Sequence, residues 1–321
     1  DRPAETPDGR EIAILGNIDF PKEIPTYLRY GARGVGLYRT EFLYLESRSR
    51  PTEEDHLKSY LKALEELGDK PIVIRTVDLG ADKFYDGNNL REPNPFLGCR
   101  SIRYCFEHPE VFNTQMKAIL RASAHTKNLS ILFPLISSLE ELRKAKAMVL
   151  EAMEELRRKG VDFNENIPIG VMIEVPSSVL IADTLAKEVD FFSIGTNDLV
   201  QYSLAIDRDN ERVAYMYCPA HPAILRLLKM TIEVAQDHNI PLCLCGEMGS
   251  ELEYIVLLMG LGITQFSVAP PATIPAIKKI IRSVTYERAK EAAEEVSRFT
   301  DPEKSIRFLR GITKEILPEA F

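Results

Sequence analysis

Glu174 closes the apolar run GVMIE, and Asp198 follows the tripeptide GTN. A carboxylate at the edge of a hydrophobic stretch is costly to bury unless a cation or an arginine meets it. Mg²⁺ takes only one or two protein carboxylates and fills its octahedron with water and substrate oxygens, so this pair would suffice. Two independent arginine partners are the alternative. Arg39, Arg75, Arg100 and Arg208, together with Lys83, supply cations in segments of similar character. Guanidinium forks match phosphate and carboxylate oxygens, and several together neutralise a small, multiply charged anion. A phosphorylated carboxylic acid fits such a set. Structural salt bridges, notably Arg39 with Glu41, are the plainer reading for part of it. Cys245 stands between an apolar run and Gly246, where a thiol would face a ligand, although an unpaired cysteine is more often a small buried hydrophobe.

Elements that could bring these residues together are visible in the periodicity. Short apolar runs bounded by turn signals alternate with stretches of helical period, the pattern of parallel strands joined by crossover helices. Strand cores are expected at 12–17, 34–39, 72–76, 130–135, 169–174, 191–195, 242–245 and 265–268, with helices clearest at 53–67, 139–159, 223–238 and 251–261. The charged stretch 286–297 and the segment after Pro302 read as extra C-terminal helices. Eight such strands predict an α/β fold, a (β/α)₈ TIM barrel with added C-terminal helices. Most strands are apolar until their last positions. Arg39 and Glu41, Arg75 and Asp78, Glu174, Asn197 and Asp198, and Cys245 and Glu247 then follow in turn. All carboxyl ends of a parallel barrel share one face, so these groups would converge on one rim. Gly34-x-Gly36 is too weak a motif to imply a nucleotide, Gly195 suits close backbone approach, and His221 before Pro222 reads as a helix-entry residue.

Composition narrows the setting. With 45% hydrophobic and 27% charged residues, the 321-residue chain can build a large core. A net charge of −8 offers no general field to draw in nucleic acid or an anionic membrane. Five cysteines make no secreted disulfide framework, and no signal peptide or membrane span is evident, which points to a cytoplasmic setting. Cys243-x-Cys245 lacks a second Cys/His pair, so it does not read as a structural zinc site. Residues 1–10, polar and proline-containing, are expected as a linker remnant left by excision at a domain boundary, with 11–321 as one barrel domain.

Taken in order, the segments GVGLYRTEFLY (34–44), RTVDLGADK (75–83), NPFLGCRSIR (94–103), GVMIEVPSSVLIAD (170–183), FFSIGTNDLVQYSLAIDRDNE (191–211) and CGEMGSE (245–251) resemble the C-terminal phosphoenolpyruvate-binding domain of Enzyme I. Enzyme I is the phosphoenolpyruvate-protein phosphotransferase of the bacterial sugar phosphotransferase system. Pyruvate phosphate dikinase and phosphoenolpyruvate synthase share the barrel and are the runner-up. The resemblance implies that Arg39, Arg75 and Lys83, with Arg100 alongside, grip the phosphoryl group while Asn197 adds a hydrogen bond. It implies Mg²⁺ on Glu174 and Asp198, and the substrate carboxylate on Arg208 and backbone amides near Asn197. Cys245 would protonate the methylene carbon of the enolate. Asp78 and Glu247 would orient arginines or loops. A homodimer, an N-terminal phosphohistidine domain and, through it, the carrier HPr are the implied partners, with no nucleic acid and no membrane insertion. The family's accepting histidine lies in a Gly-rich Ser-His context that none of His56, His108, His125, His221 or His238 has. The chain alone is therefore expected to bind phosphoenolpyruvate without phosphorylating itself. A metal-dependent lyase barrel and a ligand-sensing dimerisation module are the rival readings.

Overall fold

Eight short apolar segments close into a parallel barrel in strict chain order in the computed structural model, which describes residues 2–45, 50–80 and 93–318. The strands are β1 (Ala13–Ile18), β2 (Val35–Tyr38), β3 (Ile72–Arg75), β4 (Leu129–Phe133), β5 (Ile169–Ile173), β6 (Phe191–Ile194), β7 (Leu242–Leu244) and β8 (Gln265–Val268). β8 closes on β1 through the register Ala13↔Gln265 to Gly16↔Val268. Helices cover the outside and side chains fill the inside, so the strands are apolar on both faces, and all four residues of β2 are buried. Alternation along a strand divides those side chains. Leu37, Leu132, Met172 and Cys245 form a small cluster of their own, whereas Leu244 joins the main core.

The expected barrel and its C-terminal helices, Tyr286–Ser297 and Pro302–Ile316, are both present. The first of these helices lies so close to Ile255–Leu261 that a Cβ at Gly260 would fall 2.0 Å from the Ala289 carbonyl oxygen. The fourth strand ends two residues earlier than expected, because Leu135 adopts φ 56° and turns the chain out of the sheet. Residues 2–10 do not trail as a free linker. Ala4 and Thr6 are buried, the Ala4 carbonyl accepts from Ile12 N at 2.8 Å, and Asp8 accepts from Tyr286 N at 2.9 Å. The longest helix, Leu139–Arg158, starts at Ser138, whose hydroxyl accepts from Glu141 N, and it buries one apolar face. No helix among the described residues is long and apolar enough to cross a membrane.

Candidate active site

A cavity of about 570 Å³ opens where the strands end. Arg39, Arg75, Arg100, Glu174, Asn197, Asp198, Arg208 and Cys245 all line it. Lys83, the other cation expected there, lies outside the described residues. Several of them arrive by the same device, a strand that stops beside or a few positions before them, whereas Arg100 and Arg208 come from the longer connections after β3 and β6. Arg39 follows β2, Glu174 follows β5, Asp198 opens the helix Thr196–Leu204 after β6, and Cys245 follows β7.

Every arginine of the rim already has an acid beside it. Arg75 spans Asp78 at 3.0 Å and Glu41 at 3.1 Å, and Arg100 contacts Asp78 at 2.9 Å and Asp198 at 3.4 Å. Arg208 approaches Asp198 to 3.7 Å. Arg39 does not pair with Glu41 as expected. Its backbone amide bonds Ile18 at the end of β1, which sets its guanidinium against Asp19 at 2.8 Å, while Glu41 turns to Arg75 and accepts from Asp78 N. Asp78 thus bridges two arginines. Burial alone would raise its carboxyl, but Arg75 and Arg100 outweigh burial and hold the pKa below its ordinary value.

Glu174 and Asp198 are 2% and 4% exposed. Burial, followed by Asp198 and Asp78, pushes the Glu174 carboxyl well above the usual range. Asp198 is raised chiefly by burial, with Asp78 adding to it, in spite of Arg100 and Arg208. Both carboxyls therefore hold their protons more tightly than exposed acids do, and a cation between them would favour their charged forms. Leu135 spends its unusual backbone conformation on this group, since its N–H donates to Glu174 Oε1 at 2.7 Å. Gly195 leaves the space on the other side, where a Cβ would fall 2.7 Å from Glu174 Oε2.

Cys245 is 5% exposed. Burial pushes its thiol up to about 11, so the sulfur keeps its proton at neutral pH. Ser193 donates to the sulfur at 3.1 Å, and the Asn17 amide donates to the Cys245 carbonyl at 2.9 Å. Asn197 is committed to Glu247. Its Nδ2 donates to Glu247 Oε1 and its Oδ1 accepts from Glu247 N, both at 2.8 Å. Asn17, Asp19 and Glu23, which also line the cavity, were not among the expected residues. The rule that found most of the others, polar groups at or just past the end of an apolar run, applies equally to the end of β1.

A family model described as "PEP-utilising enzyme, PEP-binding domain" matches residues 1–286. The chain belongs to the phosphoenolpyruvate-binding domain family of phosphoenolpyruvate-utilising enzymes. The resemblance read from its segments holds at that level. Three proteins named phosphoenolpyruvate-protein phosphotransferase are similar to this domain. The one from Priestia megaterium is 44% identical over 95% of this chain and 53% of its own length. That of Staphylococcus carnosus (strain TM300) is 42% identical over 98% and 55%, and that of Bacillus subtilis (strain 168) is 42% identical over 97% and 55%. The chain spans about half the length of the curated relatives it matches.

The donor set of this phosphoenolpyruvate-binding domain fits a hard divalent cation. Asp198 Oδ1 is buried with no hydrogen bond, and the two carboxylates supply oxygen ligands that Mg²⁺ favours. Among the described residues no group of three or more His, Cys, Asp or Glu side chains is arranged to hold a metal. A two-carboxylate site completed by water and ligand oxygens is the arrangement Mg²⁺ tolerates and structural zinc does not. Cys243 and Cys245 are both free thiols. His221 caps the helix Pro222–Asp237 by accepting from Ala223 N at 3.1 Å, as its place before a proline suggested.

Proposed function

We propose that this domain is the carbon-substrate half of a phosphoenolpyruvate-protein phosphotransferase of a sugar phosphotransferase system. In this role it holds phosphoenolpyruvate while the phosphoryl group passes to a histidine outside the chain. The names and identities of the relatives support this reading over the dikinase and synthase alternatives. The observation that carries it is the convergence of four arginines and two buried carboxyls on one cavity.

Arg39, Arg75 and Arg100, with Lys83, bind the phosphoryl oxygens, exchanging part of their contact with Asp19, Glu41 and Asp78 for the ligand. Arg208 and backbone amides near Asn197 take the carboxylate, and Asn197 contributes a hydrogen bond to the phosphoryl side. Glu174 and Asp198 hold Mg²⁺, which when bound offsets negative charge on the phosphate and the enolate oxygen. Phosphoryl transfer asks the protein for position and charge more than for covalent help. As the P–O bond breaks, its electron pair stays on the enolate oxygen. That oxygen becomes a carbonyl as the methylene carbon takes the proton from Cys245 Sγ, giving pyruvate and a thiolate. The whole protein is cytoplasmic and dimeric in this reading. A separate phosphohistidine domain serves as acceptor and passes the group to HPr.

Calorimetric titration with phosphoenolpyruvate, with and without Mg²⁺, tests the site. Arg75→Ala should weaken binding by roughly a hundredfold, because it removes a charged ligand contact, strands Glu41 and leaves Asp78 to Arg100 alone. Glu174→Gln should abolish the effect of Mg²⁺. Unchanged affinity in Arg75→Ala would favour a lyase.

A further inference from the structure

Between β2 and β3 the ladder stops at the pair Tyr38↔Ile74, although Arg75 stays paired with Leu132 of β4 and the Arg39 amide bonds the Ile18 carbonyl of β1. Beyond that pair, Arg39 and Glu41 on one side and Arg75 and Asp78 on the other have no β2–β3 ladder bond between them. The spacing of the two stretches then needs another tie, and the buried Val77 N–H needs a partner. One side chain from outside the barrel closes this gap. Gln115, in the helix Pro109–Ser123, is 0% exposed and reaches both stretches. Its Oε1 accepts from Val77 N at 2.9 Å, and its Nε2 donates to Thr40 Oγ1 at 2.9 Å and to the Tyr60 hydroxyl at 3.2 Å. Thr40 passes the connection on by donating to the Arg75 carbonyl at 3.1 Å. Tyr60 is braced in turn by the buried His56, whose Nδ1 lies 3.0 Å from the phenol oxygen.

We infer that Gln115, acting through Thr40 and Val77, is a positioning residue that fixes the separation of Arg39 and Arg75 for the phosphoryl group. The inference rests on the function proposed above. Thr40 sits between Arg39 and Glu41, and Val77 sits next to Asp78, so two of the amide's three hydrogen bonds anchor residues adjoining the phosphate clamp. The amide is suited to this task because it alone offers an acceptor and two donors on one rigid plane. The bridge across two strands to Thr40, and from there to Arg75, is what ties Gln115 to phosphate geometry. Cys245 follows β7 and Arg208 lies beyond the helix Thr196–Leu204, and neither is held by it.

The discriminating experiment compares two ligands that differ in the phosphoryl group. Phosphoenolpyruvate is titrated calorimetrically and pyruvate by proton NMR, both with Mg²⁺, against wild type, Gln115→Met, Thr40→Val and Thr40→Ser. Met keeps the length and loses the hydrogen bonds, Val keeps the shape of Thr without its hydroxyl, and Ser restores the hydroxyl. The dissociation constant for phosphoenolpyruvate should rise about tenfold in Gln115→Met and Thr40→Val and return to within about threefold of wild type in Thr40→Ser, while that for pyruvate stays within about twofold throughout. If Gln115→Met fails to fold, the Thr40 pair gives the same answer. Parallel loss of both ligands would show general loosening and overturn the inference, as would no change for either. A wild type that binds no phosphoenolpyruvate would overturn the underlying function and this inference with it.

Discussion

At neutral pH the metal-free protein must either protonate Glu174 or carry a buried charge among acids, because burial and the nearby Asp198 and Asp78 raise its carboxyl well above the ordinary range. The sign of the consequence follows from linkage. A raised folded-state pKa means that the folded chain binds this proton more tightly than the unfolded chain does. Stability from Glu174 is thus present at acid pH and is lost as pH rises from the ordinary carboxylate range through the folded value. Asp78, held low against burial by Arg75 and Arg100, works in the opposite direction and loses its contribution as pH falls. Mg²⁺ should therefore stabilise the protein more at about pH 8 than at about pH 6. Glu174→Gln keeps the oxygen that accepts from Leu135 N and removes the charge. With chelator at about pH 8 it should melt higher than wild type by about 2 °C, and added Mg²⁺ should no longer shift its melting point. A lower melting point than wild type under those conditions would mean that Arg75 already neutralises Glu174. Glu174, Asp198, Arg39 and Arg75 were legible in the sequence as polar groups at the ends of apolar runs, whereas Arg100 and Arg208 stood out only as cations in neighbouring segments and through the family resemblance. Which acid meets which arginine was not, because Arg39 meets Asp19 through the lateral pairing of β1 with β2, which residue spacing does not encode.

At the scale of elements, the barrel was readable because eight apolar runs and their turn signals recur along the whole chain. Boundaries failed where a single residue overrode the pattern, as Leu135 does after β4. Gln115 escaped notice for a related reason: it is one polar residue on a helix whose other buried positions are mostly apolar, and only the fold reveals that two strand ends face it. The connection between β6 and β7 carries its own test. Asn197 at the start of the helix Thr196–Leu204 and Glu247 after β7 exchange two hydrogen bonds and tie the two strand ends together on the rim. Glu247→Gln retains the Oε1 acceptor and should behave as wild type. Glu247→Ala deprives Asn197 Nδ2 of its partner and should cost about 0.5–1 kcal/mol, read as a small fall in denaturation midpoint. Equal stability of the two variants would show that the rim is held by backbone contacts alone.

Across the whole molecule the cations and acids gather at one mouth of the barrel, and none of the five histidines lines that cavity. His56 is buried between Tyr44 and Tyr60, and burial lowers its pKa to about 4. His221 caps a helix, His238 lies 3.2 Å from the Asp183 carbonyl, and His108 packs on Tyr104 with ring centroids 4.3 Å apart. On the function proposed above, the phosphoryl acceptor comes to the mouth from elsewhere, whereas the chemistry on carbon needs only the rim residues and Mg²⁺. The two halves of the reaction should therefore separate in this chain. With Mg²⁺ in deuterated water the protein should exchange the methyl protons of pyruvate, the reverse of enolate protonation, yet labelled phosphoenolpyruvate should leave no phosphohistidine on it. Cys245→Ala should slow the exchange by at least about a hundredfold, the size of a general acid-base contribution, and leave the affinity for phosphoenolpyruvate within about threefold of wild type. Exchange that survives in Cys245→Ala would transfer the proton to another donor at the rim. A stable phosphohistidine on the unaltered chain would show that one of these five side chains can reach the mouth after all.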